Sequence, residues 1–218
     1  MKRKYLIGIV IFMMVLALFA VFMIVMADAE GLEEEAVYIP IYTEHKSKEA
    51  EEYLWNELSK HSPSDEITAA ILGMFWRESF LQSNVVAGAW LRADGESERF
   101  TRKIDKGLHD GSTKDIFVHE VHNHYGGYGL CQWIGTFLEE YYDFVQEKGG
   151  SIGDAAMQCE FIVKDLRANR DLWNDIRWND SVMNVARYIA IWYDGASFEG
   201  VEIIASMAQH YYDTYAES

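Results

Sequence analysis

The chain has 218 residues, half of them apolar, and carries 19 basic against 35 acidic side chains for a formal net charge of −16 at pH 7. That balance excludes nucleic acid as a partner, because phosphate binding draws its free energy from clustered lysine and arginine. Two cysteines, Cys131 and Cys159, cannot build a zinc ribbon.

The first expected element is a membrane span. Tyr5 to Met26 is a run of 22 residues without a charge, enough to cross the ~30 Å hydrocarbon layer at about 1.5 Å per residue. Lys2, Arg3 and Lys4 precede it and acidic residues follow, so the positive-inside rule predicts a cytoplasmic tip and an extracytoplasmic body. A secretory signal cleaved after Ala29 is the competing reading, with Ala27-Asp28-Ala29 as its small-residue site. Such signals have apolar runs of roughly 7 to 15 residues, shorter than this one, which favours an uncleaved anchor over residues 1–26. Beyond Lys4 the chain holds 16 basic and 35 acidic residues, a net of −19. Residues 27–48 contain Pro40, lack helical periodicity and read as an extracytoplasmic stalk.

Residues 49–218 show no further linker and no repeat, and apolar residues recur at spacings of three and four, which predicts one mainly α domain. Its first strong helix begins at SPSDEITAAILGMFWRES, with Ser62 or Ser64 as cap and Asp65 and Glu66 at the positive end of the dipole. Ile67, Ala70, Ile71, Met74 and Phe75 form a buried stripe, and the next position on it is Glu78. Trp90 to Tyr125 is charged and irregular, with a short helix expected near Arg99 to Leu108. Gly126 to Trp133, GGYGLCQW, reads as a tight turn. A helix from Phe137 to Lys148 stops at Gly149-Gly150, and three more carry stripes through Ala155 to Leu166, Val182 to Tyr193, and Ile203 or Ile204 to Tyr215. No strand is signalled.

Two sets of residues suggest chemistry. A glutamate on an apolar face loses solvation, which raises its pKa and makes it a proton donor at working pH, the property needed to protonate a glycosidic oxygen. The plainer alternative places Glu78 where the stripe runs out, paired with Arg77, Arg92 or Arg99. The second set is HEVHNH, His119 to His124 with Glu120 inside it. A metallopeptidase helix needs histidines at i and i+4, whereas His119 and His122 stand at i and i+3, so surface histidines and no metal or cofactor are expected.

WRESF with NVVAGA after it, then GYGLCQW, resembles the Glu-Ser pair, the asparagine-centred turn and the Gly-Leu-x-Gln motif of the goose-type lysozyme and lytic transglycosylase superfamily. The likeness is strongest to its phage-tail lysozyme branch, through Ile71-Leu72-Gly73, Gly127 to Trp133 and Gln158 to Ile162 in that order, and covers about Tyr53 to Ala196. The resemblance implies a lysozyme-like helical domain acting on peptidoglycan glycan strands, with Glu78 as general acid and Tyr128, Gly129, Gln132 and Trp133 lining the cleft. It also makes Tyr193 a further wall, and it packs the Cys159 helix beneath the Cys131 turn, so that a Cys131–Cys159 disulfide becomes an expectation in an oxidising compartment. Two departures are visible: the 90–125 segment is longer than in compact members, and Tyr193-Asp194-Gly195-Ala196 stands where many carry a tyrosine, an acidic residue and proline.

A hydrolase needs a second carboxylate, and Asp105, Asp110, Asp115 and Glu120 all lie in the long segment. The superfamily's transglycosylases manage with one glutamate, because the substrate's own hydroxyl attacks. Two functions remain at this level. One is a membrane-anchored muramidase or lytic transglycosylase, serving as the wall-opening part of a conjugation, secretion or phage-derived apparatus. The other is a non-catalytic lysozyme-like module that binds glycan or scaffolds such machinery.

Overall fold

The computed structural model describes residues 44–87, 95–107 and 112–216. The expected membrane span lies outside them, and among the described residues no helix is long and apolar enough to cross a membrane. Chain order gives α1 (Glu44–Ser59), α2 (Asp65–Ser79), α3 (Glu96–Asp105) and α4 (Thr113–Glu120), the last running into a π-turn over Val121–Tyr125. Then come α5 (Gly135–Lys148), α6 (Ala155–Ala168), α7 (Arg170–Ile176) and α8 (Val182–Ile189), followed by a second π-turn over Ala190–Asp194 and by α9 (Phe198–Tyr215). The expectation of a mainly α fold holds: the only β features among the described residues are two isolated bridges. Helix α1 starts inside the segment expected to be a stalk.

Helix α2 is the axis of the domain. Ser64 is its cap, accepting from the Ile67 N–H, and every residue from Ile67 to Phe75 is buried, not only the predicted stripe. Burial on all sides follows from its neighbours, since α1, α8 and α9 all pack against it. The crossing with α9 is close because Gly73 has no side chain: a Cβ there would stand 2.7 Å from the Ile204 carbonyl oxygen and 2.8 Å from the Ala208 nitrogen. Phe80 and Leu81, with φ of 49° and 63°, then end the helix in the left-handed region.

The segment expected to be irregular apart from a short helix near Arg99 to Leu108 has that helix as α3, three residues earlier, and also supplies α4 and the first π-turn. Phe100 and Phe117 place their rings 6.0 Å apart, and both meet Tyr128, at 5.9 and 5.3 Å. With Ile104 and Val121 these residues form a buried cluster that grips the glycine-rich turn. Other boundaries follow their local signals: Gly149, φ 72°, caps α5, Asp154 caps α6 through the Ala156 and Met157 amides, and in α9 it is Ile204 that is buried at the ambiguous position.

The Gly73 contact is with backbone, which cannot rotate aside. Gly73→Ala is expected to destabilise the domain by about 1–3 kcal/mol through overpacking, read as a lower urea midpoint with the slope unchanged.

Candidate active site

Glu78 sits one residue before the end of α2, where that helix leaves the core. Its side chain keeps 15% of its exposure and its Oε1 takes a hydrogen bond from Arg77 Nη1. Arg77 is fixed in turn by α9: a Cβ on Gly200 would lie 3.0 Å from its Nε and Nη2, so the guanidinium lies flat on the start of that helix. The ion pair with Arg77 anticipated as the plainer reading is therefore present, and it orients the Glu78 carboxylate.

The turn after the first π-turn is built by backbone bonds to its neighbours. Ala87 N–H donates to the Gly127 carbonyl at 3.0 Å and Gly129 N–H to the Val85 carbonyl at 2.9 Å, while Tyr128 and Trp133 exchange bonds of 3.2 and 3.0 Å. Beneath it stands Gln158, fully buried on α6. Its Oε1 accepts from Leu130 N–H at 2.7 Å, and its Nε2 donates to the Ser83 and Ile152 carbonyls at 2.6 and 3.0 Å. Gly129 is required by that contact, since a Cβ would meet Gln158 Oε1 at 2.7 Å and φ is +78°.

This construction places the expected wall residues differently from the sequence reading. Tyr128 has no exposed surface, and its hydroxyl bonds Thr101 Oγ1 at 2.6 Å; Gly129 is buried as well. Trp133 keeps 4% exposure and rests between Tyr141 and Phe161, with its indole N–H donating to the Tyr193 hydroxyl at 3.2 Å. These rings are core, and their distant partners explain why: the aromatic clusters at positions 100, 117, 141 and 161 fold over them. Gln132 is half-buried at φ 50°, with Nε2 bonded to the Gly129 carbonyl at 2.8 Å, and its Oε1 is buried without a protein partner.

Tyr193 links the turn to a residue that the sequence reading left without a role. Its hydroxyl lies between Trp133 and Asp165, a carboxyl raised by burial despite the tyrosine's hydrogen bond. The next residue, Asp194, ends the second π-turn half-buried, with Gly195 at φ 67° behind it. Its pKa is pushed up from 3.8 to about 6, first by burial and then by the negative charge of Glu78, with Arg77 pulling the other way. Cys131, at the tip of the glycine-rich turn, is also influenced by Asp194 and Glu78, after burial itself, in a rise well above the usual thiol range. The charge of Glu78 therefore bears on both Asp194 and Cys131.

The acids proposed from the long segment are elsewhere. Asp105 accepts from Ser151 Oγ at 2.6 Å and Ile152 N–H at 3.0 Å, tying α3 to the loop before α6. Asp115 is in the exposed first turn of α4, Glu120 faces His124, and Asp110 lies outside the described residues. The signal that could have found Asp194 was its place directly after Tyr193, as the acidic residue of the Tyr193-Asp194-Gly195 segment already singled out.

The Cys131–Cys159 bridge is not formed; both thiols are free and buried. After burial, Cys131 is influenced by Asp194, Cys159 and Glu78, and Cys159 by Glu57 and Asp154. Burial pushes both thiols up, so neither is a reactive thiolate.

The family model described as phage tail lysozyme matches residues 49–215. No curated protein matches the chain, and no solved structure does.

Between pH 3.8 and about 6 the folded chain holds a proton on Asp194 that the unfolded chain has released, so stability falls as pH rises through that window. Above it the ionised, half-buried carboxylate costs on the order of 3 kcal/mol. Asp194→Asn is accordingly expected to melt higher than the parent at pH 7 and to flatten the decline between pH 4 and 6; an unchanged melting temperature at pH 7 would contradict it. Alkylation of the unfolded, unreduced chain should add a label to each of Cys131 and Cys159.

Proposed function

Since the chain belongs to the phage tail lysozyme family, a group of lysozyme-like glycosidases, we propose that it cleaves peptidoglycan glycan strands with Glu78 as general acid and Asp194 as the second carboxylate. The observation that carries this is that Asp194, half-buried on the second π-turn, has its pKa raised to about 6, first by burial and then by the charge of Glu78. A pair of carboxyl groups is what glycosidases use to divide acid and base work. Glu78 donates a proton to the glycosidic oxygen, and Asp194 activates water or shields the developing positive charge on the sugar. Arg77, pinned on Gly200, holds Glu78 in position without touching substrate.

A second carboxylate favours hydrolysis over the intramolecular attack of a transglycosylase, which can proceed with one glutamate. The sugar-facing surface on this reading is not Tyr128 and Trp133 but the exposed residues around them. Phe137 lies 5.4 Å from the Tyr193 ring at 41% exposure, and Trp192 is 68% exposed on the π-turn that carries Asp194. The apolar run Tyr5 to Met26, preceded by Lys2, Arg3 and Lys4, supports a membrane anchor with the domain acting on the extracytoplasmic side, where a wall-spanning apparatus would need local opening of the wall.

Glu78→Gln keeps the size and hydrogen-bonding capacity of the side chain and deletes the proton, so turnover should fall about 10²- to 10⁴-fold with glycan binding retained. Mass spectrometry of digested peptidoglycan reads the reaction type. Reducing ends are the expected products; 1,6-anhydro ends would assign transglycosylation, and no products from the folded parent would leave a glycan-binding or scaffold module.

A further inference from the structure

The geometry points to a divalent transition-metal site, of the zinc class, formed by His119, Glu120 and His124 at the junction of α4 and the first π-turn. One ligand atom from each lies within 4.8 Å of the other two. His124 Nε2 stands 3.8 Å from Glu120 Oε2, and the rings of His119 and His124 have centroids 6.3 Å apart. Two imidazoles and one carboxylate are a donor set suited to zinc, with water completing a tetrahedron. Metal–ligand bonds of about 2.0–2.1 Å set donor–donor separations near 3.3 Å, so closure asks these side chains to move by about 1–1.5 Å. Both histidines are exposed and Glu120 is half-buried.

The backbone explains why this set forms and the one suggested by the sequence does not. In an α-helix at about 100° per residue, His119 and His124 would point about 140° apart. The π-turn over Val121–Tyr125 is wider, closed by Gly126 N–H on the Val121 carbonyl at 2.7 Å, and it brings residues five apart onto one face. His124 thereby comes within reach of His119 and Glu120, and His122 is outside the set. Asn123 Nδ2 donates to the His119 carbonyl at 2.9 Å and holds the α4 end of this face. On the flank of His119 lies an open hollow of about 460 Å³, which His122, Asp115 and Glu139 also line. The nearest lysine there, Lys114, is engaged by Asp143 at 2.6 Å, and a strongly acidic chain favours a cation over an anion.

The consequence is a clamp on the turn rather than a second catalytic centre. The π-turn leads through Gly126 directly into Gly127 to Trp133. A metal that joins both ends of the π-turn stabilises the folded form over the unfolded one by its binding free energy. This inference does not depend on the glycan reading and is tested without an activity assay.

The purified full-length chain, stripped with chelator, is titrated with ZnCl₂ by isothermal calorimetry and melted with and without the metal. The expected result is saturable binding of one zinc per chain and a higher melting temperature. His119→Ala and His124→Ala should each weaken binding by at least the about tenfold that loss of a mere partner to a ligand costs, and should remove the thermal shift. Glu120→Gln should weaken it as well, while His122→Ala, on the same turn but outside the set, should bind as the parent does. Absence of saturable binding, or an equal loss in His122→Ala, would overturn the site. Cobalt substitution in the parent gives a readout free of variants: an intense tetrahedral ligand-field spectrum is expected, and only the pale octahedral spectrum of the aqueous ion would overturn it.

Discussion

The local architecture hangs on the amide of Gln158. It is fully buried on α6, and a buried amide left without partners would cost about 1–3 kcal/mol per unsatisfied group. Its three bonds, to Leu130 N–H and to the Ser83 and Ile152 carbonyls, join three loops that share no helix. Those loops are the glycine-rich turn, the turn after α2 and the approach to α6. Each would otherwise need backbone partners of its own in a dry interior. Gly129 follows from this arrangement rather than from contact with a ligand, because only a residue without Cβ lets the amide approach its backbone.

With the turn fixed from below, the electrostatics at its edge are set by what surrounds Glu78. A cation, Arg77, is held against it by packing on Gly200, and an anion, Asp194, is held near it by the second π-turn. Burial and the neighbouring negative charge both favour the neutral form of Asp194, and the guanidinium opposes them. A carboxyl poised near pH 6 results, at a cost in stability above that pH. Sites that carry chemistry accept such a cost, whereas a purely structural position would be filled by an apolar side chain of similar size.

The helices were legible where the signal is local. Ser64 with Asp65 and Glu66 marks the start of α2, Gly149 the end of α5, and the apolar spacing identifies α6, α8 and α9. The family was legible too, through motifs kept in order over most of the domain. The roles of Tyr128 and Trp133 were not. Aromatic residues in a glycine-rich turn read as an exposed surface, and what buries them is Phe100, Phe117, Tyr141 and Phe161. Phe100 and Ile104, and Phe117 and Val121, do carry the i, i+4 spacing of a buried face, but each pair is short and flanked by charges. Asp194 escaped for a related reason: it lies far from Glu78 in sequence, and only the packing of α8 and α9 on α2 brings the two elements together.

The two π-turns complete this logic, because no sequence periodicity announces them. Each follows the end of an α-helix, and each stops at a glycine in the left-handed region, Gly126 at φ 85° and Gly195 at φ 67°. An added residue in a helical turn rotates everything after it by about 100° relative to an uninterrupted helix. Poorer hydrogen-bond geometry makes such turns rare, and those that persist cluster where a side chain must be re-aimed. Here the re-aimed residues are His124 in one case and Asp194 in the other. If α8 continued as a regular helix, the side chain at position 194 would be turned by that angle away from its place beside Glu78. The Tyr193 hydroxyl, fixed between Trp133 and Asp165, braces the wider turn from the adjacent position. The buried face of Trp133, first read as a surface for sugar, thus contributes at one remove, by holding the segment that aims the second carboxylate.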